Sequence, residues 1–334
     1  MSDERWFRAS APVRLDFAGG WTDVAPFAVR ERGVVVNAAI ELRAHAEVRP
    51  GGEGFLLEAG DLDRQTEVHG GTWTDAQSDD FALQKAALRR SGIPACVLRT
   101  RSEVPSGSGL GSSGALGVAL VAALDAARKL TRSPAEQAEA AFQLEAVDAA
   151  LPGGRQDQYA AALGGFHRLD FAADGVAARP LALDPDFAAA LETRIVVCYT
   201  GTSRVSSRTI ARVMSAYAAG DAAIVAALRG MVELAERMAE ALGAGDLAAV
   251  GRLLSANWQC QQQLDRGMQT DEMARLEAAM RDAGVLGGKA AGAGAGGSMF
   301  FLAGGDPGPA ARAAQAAGAR VLPFRWARQG VGLA

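Results

Sequence analysis

The sequence predicts a protein of mixed strands and helices in about two domains. Three observations point there. The chain has 334 residues, where one domain usually takes roughly 100–200. Its first hundred residues contain several runs with strand-like alternation. From about Arg208 to Ala283 the pattern is helical almost throughout, with interruptions near Gly220, Gly243 and Gly267. Hydrophobic residues make up 49% of the chain and charged residues 22%, which is ample for a sizeable core.

Composition also excludes several classes. A net charge of −4 leaves no general footprint for nucleic acid. Ala-rich segments such as Ala115–Ala127 meet Asp, Arg or Gly too soon to span a membrane. The first ten residues, MSDERWFRAS, lack the apolar centre of a signal peptide, so a cytoplasmic location is expected. Cys96, Cys198 and Cys260 are scattered, which argues against a disulfide framework or a zinc site. His45, His69 and His167 are equally isolated, and no nucleophile–histidine arrangement can be built from them.

Taken in order, residues 8–20 read as a strand ending in Gly19-Gly20. Period-two alternation puts Arg14 and Asp16 on one face and Val13, Leu15 and Phe17 on the other. The polar face either meets solvent or lines a cleft. Residues 34–48 and 54–68 continue as strands, 79–91 as a helix, and Ile93–Val104 as a strand. A Gly/Ser loop, Pro105–Ser113, then opens an Ala/Leu/Val helix that reads as buried. Ser133, Pro134 and Glu136 form a capping box for a helix expected to reach about Ala150, where Pro152-Gly153-Gly154 ends it. A short Ala-rich helix and a strand follow. Arg194–Tyr199 is a buried strand, and Asp221, Asp246 and Thr270 stand at N-cap positions. Residues 287–297 read as a second Gly-rich loop, followed by the strand SMFFLA, a helix from about Pro307 and a strand near Arg320–Phe324.

The loop Pro105–Ser113 carries the chemistry. Its glycines leave backbone N–H groups free, and a helix N-terminus adds partial positive charge, so the pair can hold phosphate. A plain turn before a core helix is the alternative. The pattern Pro105-Ser106-Gly107-Ser108-Gly109-Leu110-Gly111-Ser112-Ser113 lacks the Gly-Lys-Ser/Thr ending of Walker A. It matches the phosphate loop of the GHMP kinase superfamily, which the chain also resembles at Ala11–Arg14, at Glu145 with Gly154–Tyr159, and at Gly292–Gly297. Within that superfamily it is most similar to the D-glycero-D-manno-heptose 7-phosphate kinases, at Phe17–Asp23, at Gln156–Ala161 with Gly164–Phe166, and at Tyr199–Arg204.

The resemblance implies an α+β fold, with a ribosomal protein S5 domain 2-like N-terminal domain (1–180) and a ferredoxin-like C-terminal domain with added helices (181–334). It implies an ATP- and Mg²⁺-dependent kinase acting on the anomeric hydroxyl of a sugar, with a small-molecule sugar or sugar phosphate as partner and neither nucleic acid nor membrane. A homodimer is left open. Asp157 takes the place of the catalytic carboxylate and Arg14 that of its basic partner, whose charge would favour the ionised form. Asp157 also fits a helix N-cap. Ser113 and Glu145 are the implied magnesium ligands, oxygen donors that suit this cation; for Glu145 a solvated helix position is the alternative. Gly20, Thr22, Asp23, Gln156, Tyr159, Gly201 and Arg204 are the expected substrate residues. Arg204 with Ser203, Ser206 and Ser207 could grip a substrate phosphate. Gly292, Gly294, Gly296 and Gly297 form the third motif, from which Ala295 departs by one methyl. Gly114 and Trp21 also depart from the usual pattern, Trp21 beside the sugar-binding turn. A fucose or other hexose kinase, or a catalytically silent binding protein, are the rival readings. A dehydrogenase built on Gly294 and Gly296 fails, because these glycines lead straight into a strand.

Overall fold

The computed structural model describes residues 5–68, 80–201 and 206–333. Two sheets organise it. The first is built on a long antiparallel pair, β1 (Phe7–Ala18) and β2 (Gly33–Pro50), with a single helical turn, α1 (Phe27–Arg30), in their connection. β3 (Phe55–Ala59) and β4 (Arg64–Val68) form a hairpin. After α2 (Ala82–Ser91), β5 (Cys96–Ser102) inserts between β2 and β3, antiparallel to the first and parallel to the second. Helices α3 (Ser112–Arg128), α4 (Pro134–Gln143) and α5 (Gln156–Leu163) follow. β6 (Phe166–Ala172) returns to β2, and β7 (Gly175–Pro180) pairs with β6.

Helix α6 (Pro185–Arg194) leads into the second sheet, which begins with β8 (Ile195–Tyr199). Four helices come next: α7 (Ser206–Ala218), α8 (Ala222–Gly243), α9 (Leu247–Gln262) and α10 (Asp271–Asp282). β9 (Val285–Ala290), β10 (Ser298–Ala303), α11 (Gly308–Ala316) and β11 (Arg320–Leu322) complete the sheet in the order β11-β8-β10-β9, antiparallel throughout. Strand–helix–strand–strand–helix–strand is the ferredoxin-like succession, enlarged here by extra helices in its first crossover. The architecture is α+β. The chain ends by returning to the first sheet, where β12 (Gly332–Leu333) pairs with β1.

The two sheets share one core. Phe17 on β1 meets Phe300 on β10 edge-on at 5.5 Å, and Trp326 packs on Phe166 at 4.7 Å. The Ala/Leu/Val composition of α3 lets it be buried on nearly every side, against β1 and β2. Gly117 permits close approach, since a Cβ there would sit 3.3 Å from Ala141. The capping box at Ser133 forms as the sequence predicts, with both reciprocal hydrogen bonds. So do the N-caps at Asp221, Asp246 and Thr270.

Three expectations need correction. The helix after Ser133 is α-helical only to Gln143 and then widens into a π-helical turn, Leu144–Asp148. The stretch from 287 is not all loop: Gly287–Ala290 belongs to β9, because antiparallel pairing with β10 supplies what two glycines and a lysine do not advertise locally. Helix α6 and strand β7 were not anticipated, although Asp184 caps α6 and Pro185 opens it. Among the described residues, no single helix is long and apolar enough to cross a membrane.

Leu120 lies on α3 and is fully buried. Replacing it with Ala should cost about 2–5 kcal/mol through lost transfer energy and a residual cavity. Chemical denaturation of the apoprotein measures this.

Candidate active site

A cavity of about 380 Å³ opens between the sheets, and both Gly-rich loops reach it. Ser106, Gly107, Gly109, Gly111, Ser112 and Ser113 line it from the first loop, and Gly292, Gly294 and Gly296 from the second. Pro105, Ser108 and Leu110 belong to the loop but not to the cavity wall; Ser108 and Leu110 are buried behind it. Gly111 sits at the N-cap of α3 with φ near +80° and has no side chain to cap the helix. The first-turn amides of Ser112 and Ser113 therefore lack an intrahelical partner at the cavity edge.

The loops touch each other through backbone. Ser298 N–H donates to the Ser108 carbonyl at 2.7 Å. A Cβ on Gly292 would lie 2.3 Å from the Gly109 oxygen, and one on Gly297 2.7 Å from the Ser108 oxygen. Only residues without side chains allow this approach. Ala295 tolerates a φ of +61°, and its N–H reaches the Met268 carbonyl at 2.6 Å.

Arg14 holds this junction together. Its Nη1 donates to Gly109 O at 2.7 Å and to Ala291 O at 2.8 Å, one carbonyl from each loop region. Its Nε donates to Asp157 Oδ1 at 2.9 Å, and Nη2 lies 2.8 Å from the same oxygen. The side chains are 5% and 25% exposed, so the carboxylate stays open to the cavity while the guanidinium is enclosed. Arg155, not Asp157, occupies the N-cap of α5, and Asp157 turns towards Arg14. Gly114 explains part of this placement. A Cβ there would come 2.6 Å from the Asp157 Cβ, so a bare helix position makes room for the carboxylate.

Glu145 lies on the π-helical turn and lines the cavity, which excludes a freely solvated helix position. Gln158 Nε2 donates to its Oε2 at 2.6 Å, and the Ser113 hydroxyl bonds it too. Burial pushes the Glu145 carboxyl up to about 7, and the negative charge of Asp157 adds to the rise. Ser113 and Glu145 are the adjacent oxygen donors that could hold a hard cation. Asp23 is likewise pushed up, to about 6, first by burial and then by the Asp157 and Asp16 charges. Its Oδ2 accepts the Gln156 N–H at 3.0 Å. Gly154 leaves space for it, since a Cβ there would fall 1.8 Å from that oxygen.

Gly20, Asp23, Gln156 and Asp157 thus meet at one end of the cavity. Other expected substrate residues do not. Thr22 is fully buried, with its hydroxyl 2.7 Å from the Gly19 carbonyl and accepting the Val34 N–H at 3.1 Å; it braces the turn. The Tyr159 hydroxyl donates to Glu139 at 3.0 Å, so this ring belongs to the α4–α5 packing and not to the cavity. Gly201 is exposed and does not line the cavity. Arg204 lies outside the described residues, with Ser203. Asp16 and Gln158 are polar cavity residues beside this end that the sequence reading does not place in the site. The signal for Asp16 was its period-two partnership with Arg14; for Gln158, its position next to Asp157. Trp21 also lines the cavity and holds φ at +81°, a strained value for a residue with a side chain.

Asp23 allows a test of these electrostatics. Its folded value near 6 exceeds the ordinary 3.8, so the folded state binds more protons between the two. Stability from this group therefore falls as pH rises through that window, and the full cost is present above it. Asp23→Asn should melt at a higher temperature than the wild type at about pH 8, with the gap closing as pH drops towards 4. Thermal melts of the apoprotein across pH check this.

Comparison with known proteins agrees with the geometry. Residues 81–165 match the GHMP kinases N terminal domain, and residues 238–322 match GHMP kinases C terminal. The D-glycero-alpha-D-manno-heptose 7-phosphate kinase of Campylobacter jejuni is 30% identical over 302 residues, covering 88% of each chain. The L-fucokinase/L-fucose-1-P guanylyltransferase of Bacteroides fragilis is 28% identical over 89% of this chain, which spans only 34% of that larger protein. A putative sugar kinase structure from Campylobacter jejuni superposes with a TM-score of 0.77 at 27% identity, over 100% of this chain and 99% of the other. Lactococcus lactis galactokinase complexed with galactose shares the fold, with a TM-score of 0.76 at 20% identity, over 99% and 95%. The Gly/Ser loop motif, its glycine-rich companion and the full-length similarity lead to one conclusion: this chain belongs to the GHMP kinases, phosphotransferases that act on an alcohol group.

Proposed function

We propose that this kinase transfers the γ-phosphoryl group of ATP to the anomeric C1 hydroxyl of a sugar, D-glycero-D-manno-heptose 7-phosphate, giving the 1,7-bisphosphate. The observation that carries the reading is the Arg14–Asp157 contact at the junction of the two Gly loops. In this reading the Asp157 carboxylate lies between the donor phosphates and the acceptor sugar. The name borne by the 30%-identical relative supports the choice of acceptor. In this reading the donor cradle belongs to residues 1–180 and the companion loop to 181–334.

Each step falls to named residues. The first-turn amides of Ser112 and Ser113 and the Ser112 hydroxyl hold the donor phosphates. Asp157 accepts the proton of the acceptor hydroxyl as its oxygen bonds to the γ-phosphorus and the bond to the ADP oxygen breaks. Arg14 keeps the Asp157 carboxylate aimed at that hydroxyl. Asp23 and Gln156 orient the sugar. Ser113 and Glu145 fit Mg²⁺: both are oxygen donors, and a carboxyl raised by burial and a neighbouring charge gains most from a cation. Mg²⁺ bound there would offset the negative charge of the phosphates.

An unphosphorylated hexose such as L-fucose is the second reading, favoured by the fucokinase relatives and by the bulk of Trp21 at the acceptor end. ADP release measured over heptose 7-phosphate, L-fucose, D-galactose and D-mannose separates the two. Turnover confined to unphosphorylated sugars rejects the heptose phosphate.

Asp157→Asn should lower kcat by about 10²–10⁴-fold, the usual worth of a general base. Nucleotide binding by calorimetry should stay within about twofold of wild type, since Asp157 faces the acceptor end. Wild-type turnover in this variant contradicts the assignment.

A further inference from the structure

An ion pair that the phosphoryl-transfer reading does not use lies close to Arg14. Lys289 on β9 and Asp16 on β1 are 0% and 1% exposed. Lys289 Nζ donates to Asp16 Oδ2 at 2.9 Å and to the Asp16 carbonyl at 2.7 Å. Burial pushes the Lys289 ammonium down in pKa, and Asp16 opposes that shift. Stability alone does not account for such a pair, because apolar residues of equal volume usually serve a core as well or better.

The carboxylate is only half used. Asp16 Oδ1 is buried and has no hydrogen-bond partner among the described residues. Asp16 borders the cavity beside Gly20, where a Cβ would lie 2.1 Å from Asp16 Oδ2 and 3.0 Å from Gln156 Nε2. The bare glycine therefore keeps the wall open where the carboxylate and the amide approach. Gln156 Oε1 is also buried without a partner among the described residues. Asp23 stands close enough to feel the Asp16 charge. Three oxygen-bearing side chains thus converge on one end of the cavity with acceptor capacity to spare. Two carboxylates and a spare amide oxygen favour a ligand that brings O–H groups, and the carboxylates repel a phosphate.

We propose that Asp16 is a specificity-determining residue: its carboxylate accepts a hydrogen bond from a ring hydroxyl of the acceptor sugar, away from the reacting one. Lys289 is a positioning residue that holds the carboxylate in place from the second sheet. Any phosphate on the acceptor then points away from Asp16. The proposal rests on the sugar-kinase reading above.

The test is a substrate–mutant cycle. Wild type, Asp16→Asn, and the double variant Asp16→Asn/Lys289→Met, which leaves no unpaired buried charge, are assayed with the best sugar of the panel above. Each is also assayed with the mono-deoxy analogues of that sugar. In wild type, one deoxy analogue other than the 1-deoxy compound should lose about 10–100-fold in kcat/KM, the worth of a hydrogen bond to a charged group. Both variants should lose a similar factor on the parent sugar and little more on that analogue, with KM for ATP unchanged. Gly20→Ala, which crowds the carboxylate but keeps both charges, should reproduce the selective loss even if the other variants fold poorly. Equal penalties on every analogue, or a wild type indifferent to every non-reacting hydroxyl, overturn the proposal. A wild type inactive on all sugars overturns the sugar-kinase reading instead.

Discussion

One guanidinium organises this site. Arg14 donates to a carbonyl in the Gly/Ser loop, to a carbonyl at the edge of the companion loop and to the carboxylate of Asp157. Those three partners are separated by 95, 277 and 143 residues in sequence. A planar fork with fixed N–H directions can satisfy all three at once, which an ammonium could not do in the same geometry. The long-range pairing also explains why the two sheets share a core. β1 carries Arg14 and Asp16 between them, and each reaches across to the second sheet, Arg14 to Ala291 and Asp16 to Lys289.

Charge at the cavity is unbalanced. Asp16, Asp23, Glu145 and Asp157 line it, and two of them are pushed towards neutrality by burial and by their neighbours. The apoprotein bears this as lost stability, as functional sites commonly do. Glycine is the counterpart of this crowding. Gly20, Gly111, Gly114 and Gly154 each stand where a Cβ would press on one of these carboxylates. The same residues that weaken a helix or strand therefore make the acidic cluster possible.

Much of this was legible in the chain because it is local. The Gly/Ser loop that opens α3, the capping box at Ser133 and the N-caps at Asp221, Asp246 and Thr270 depend on residues within a few positions of one another. What escaped depends on contacts far apart. β9 reads as loop because Gly287-Gly288-Lys289 has no strand propensity, yet β10 pairs with it and Asp16 receives its lysine. Tyr159 and Thr22 sit within the right motifs, but only the packing of α4 against α5 and the clamp on Val34 reveal that their hydroxyls are engaged by Glu139 and by backbone. Asp16 reads as half of an alternating polar face; only the fold sets its carboxylate beside Gly20 and Gln156, with one oxygen unpartnered among the described residues.

The most direct measurement is a crystal structure with a non-hydrolysable ATP analogue, Mg²⁺ and the acceptor sugar. The expected result has the anomeric hydroxyl about 2.6–3.2 Å from an Asp157 carboxylate oxygen, in line with the γ-phosphorus. Arg14 should still bridge both loops. A sugar whose C1 hydroxyl lies far from Asp157, or a nucleotide whose phosphates avoid the Gly107–Ser113 cradle, would contradict the central assignment.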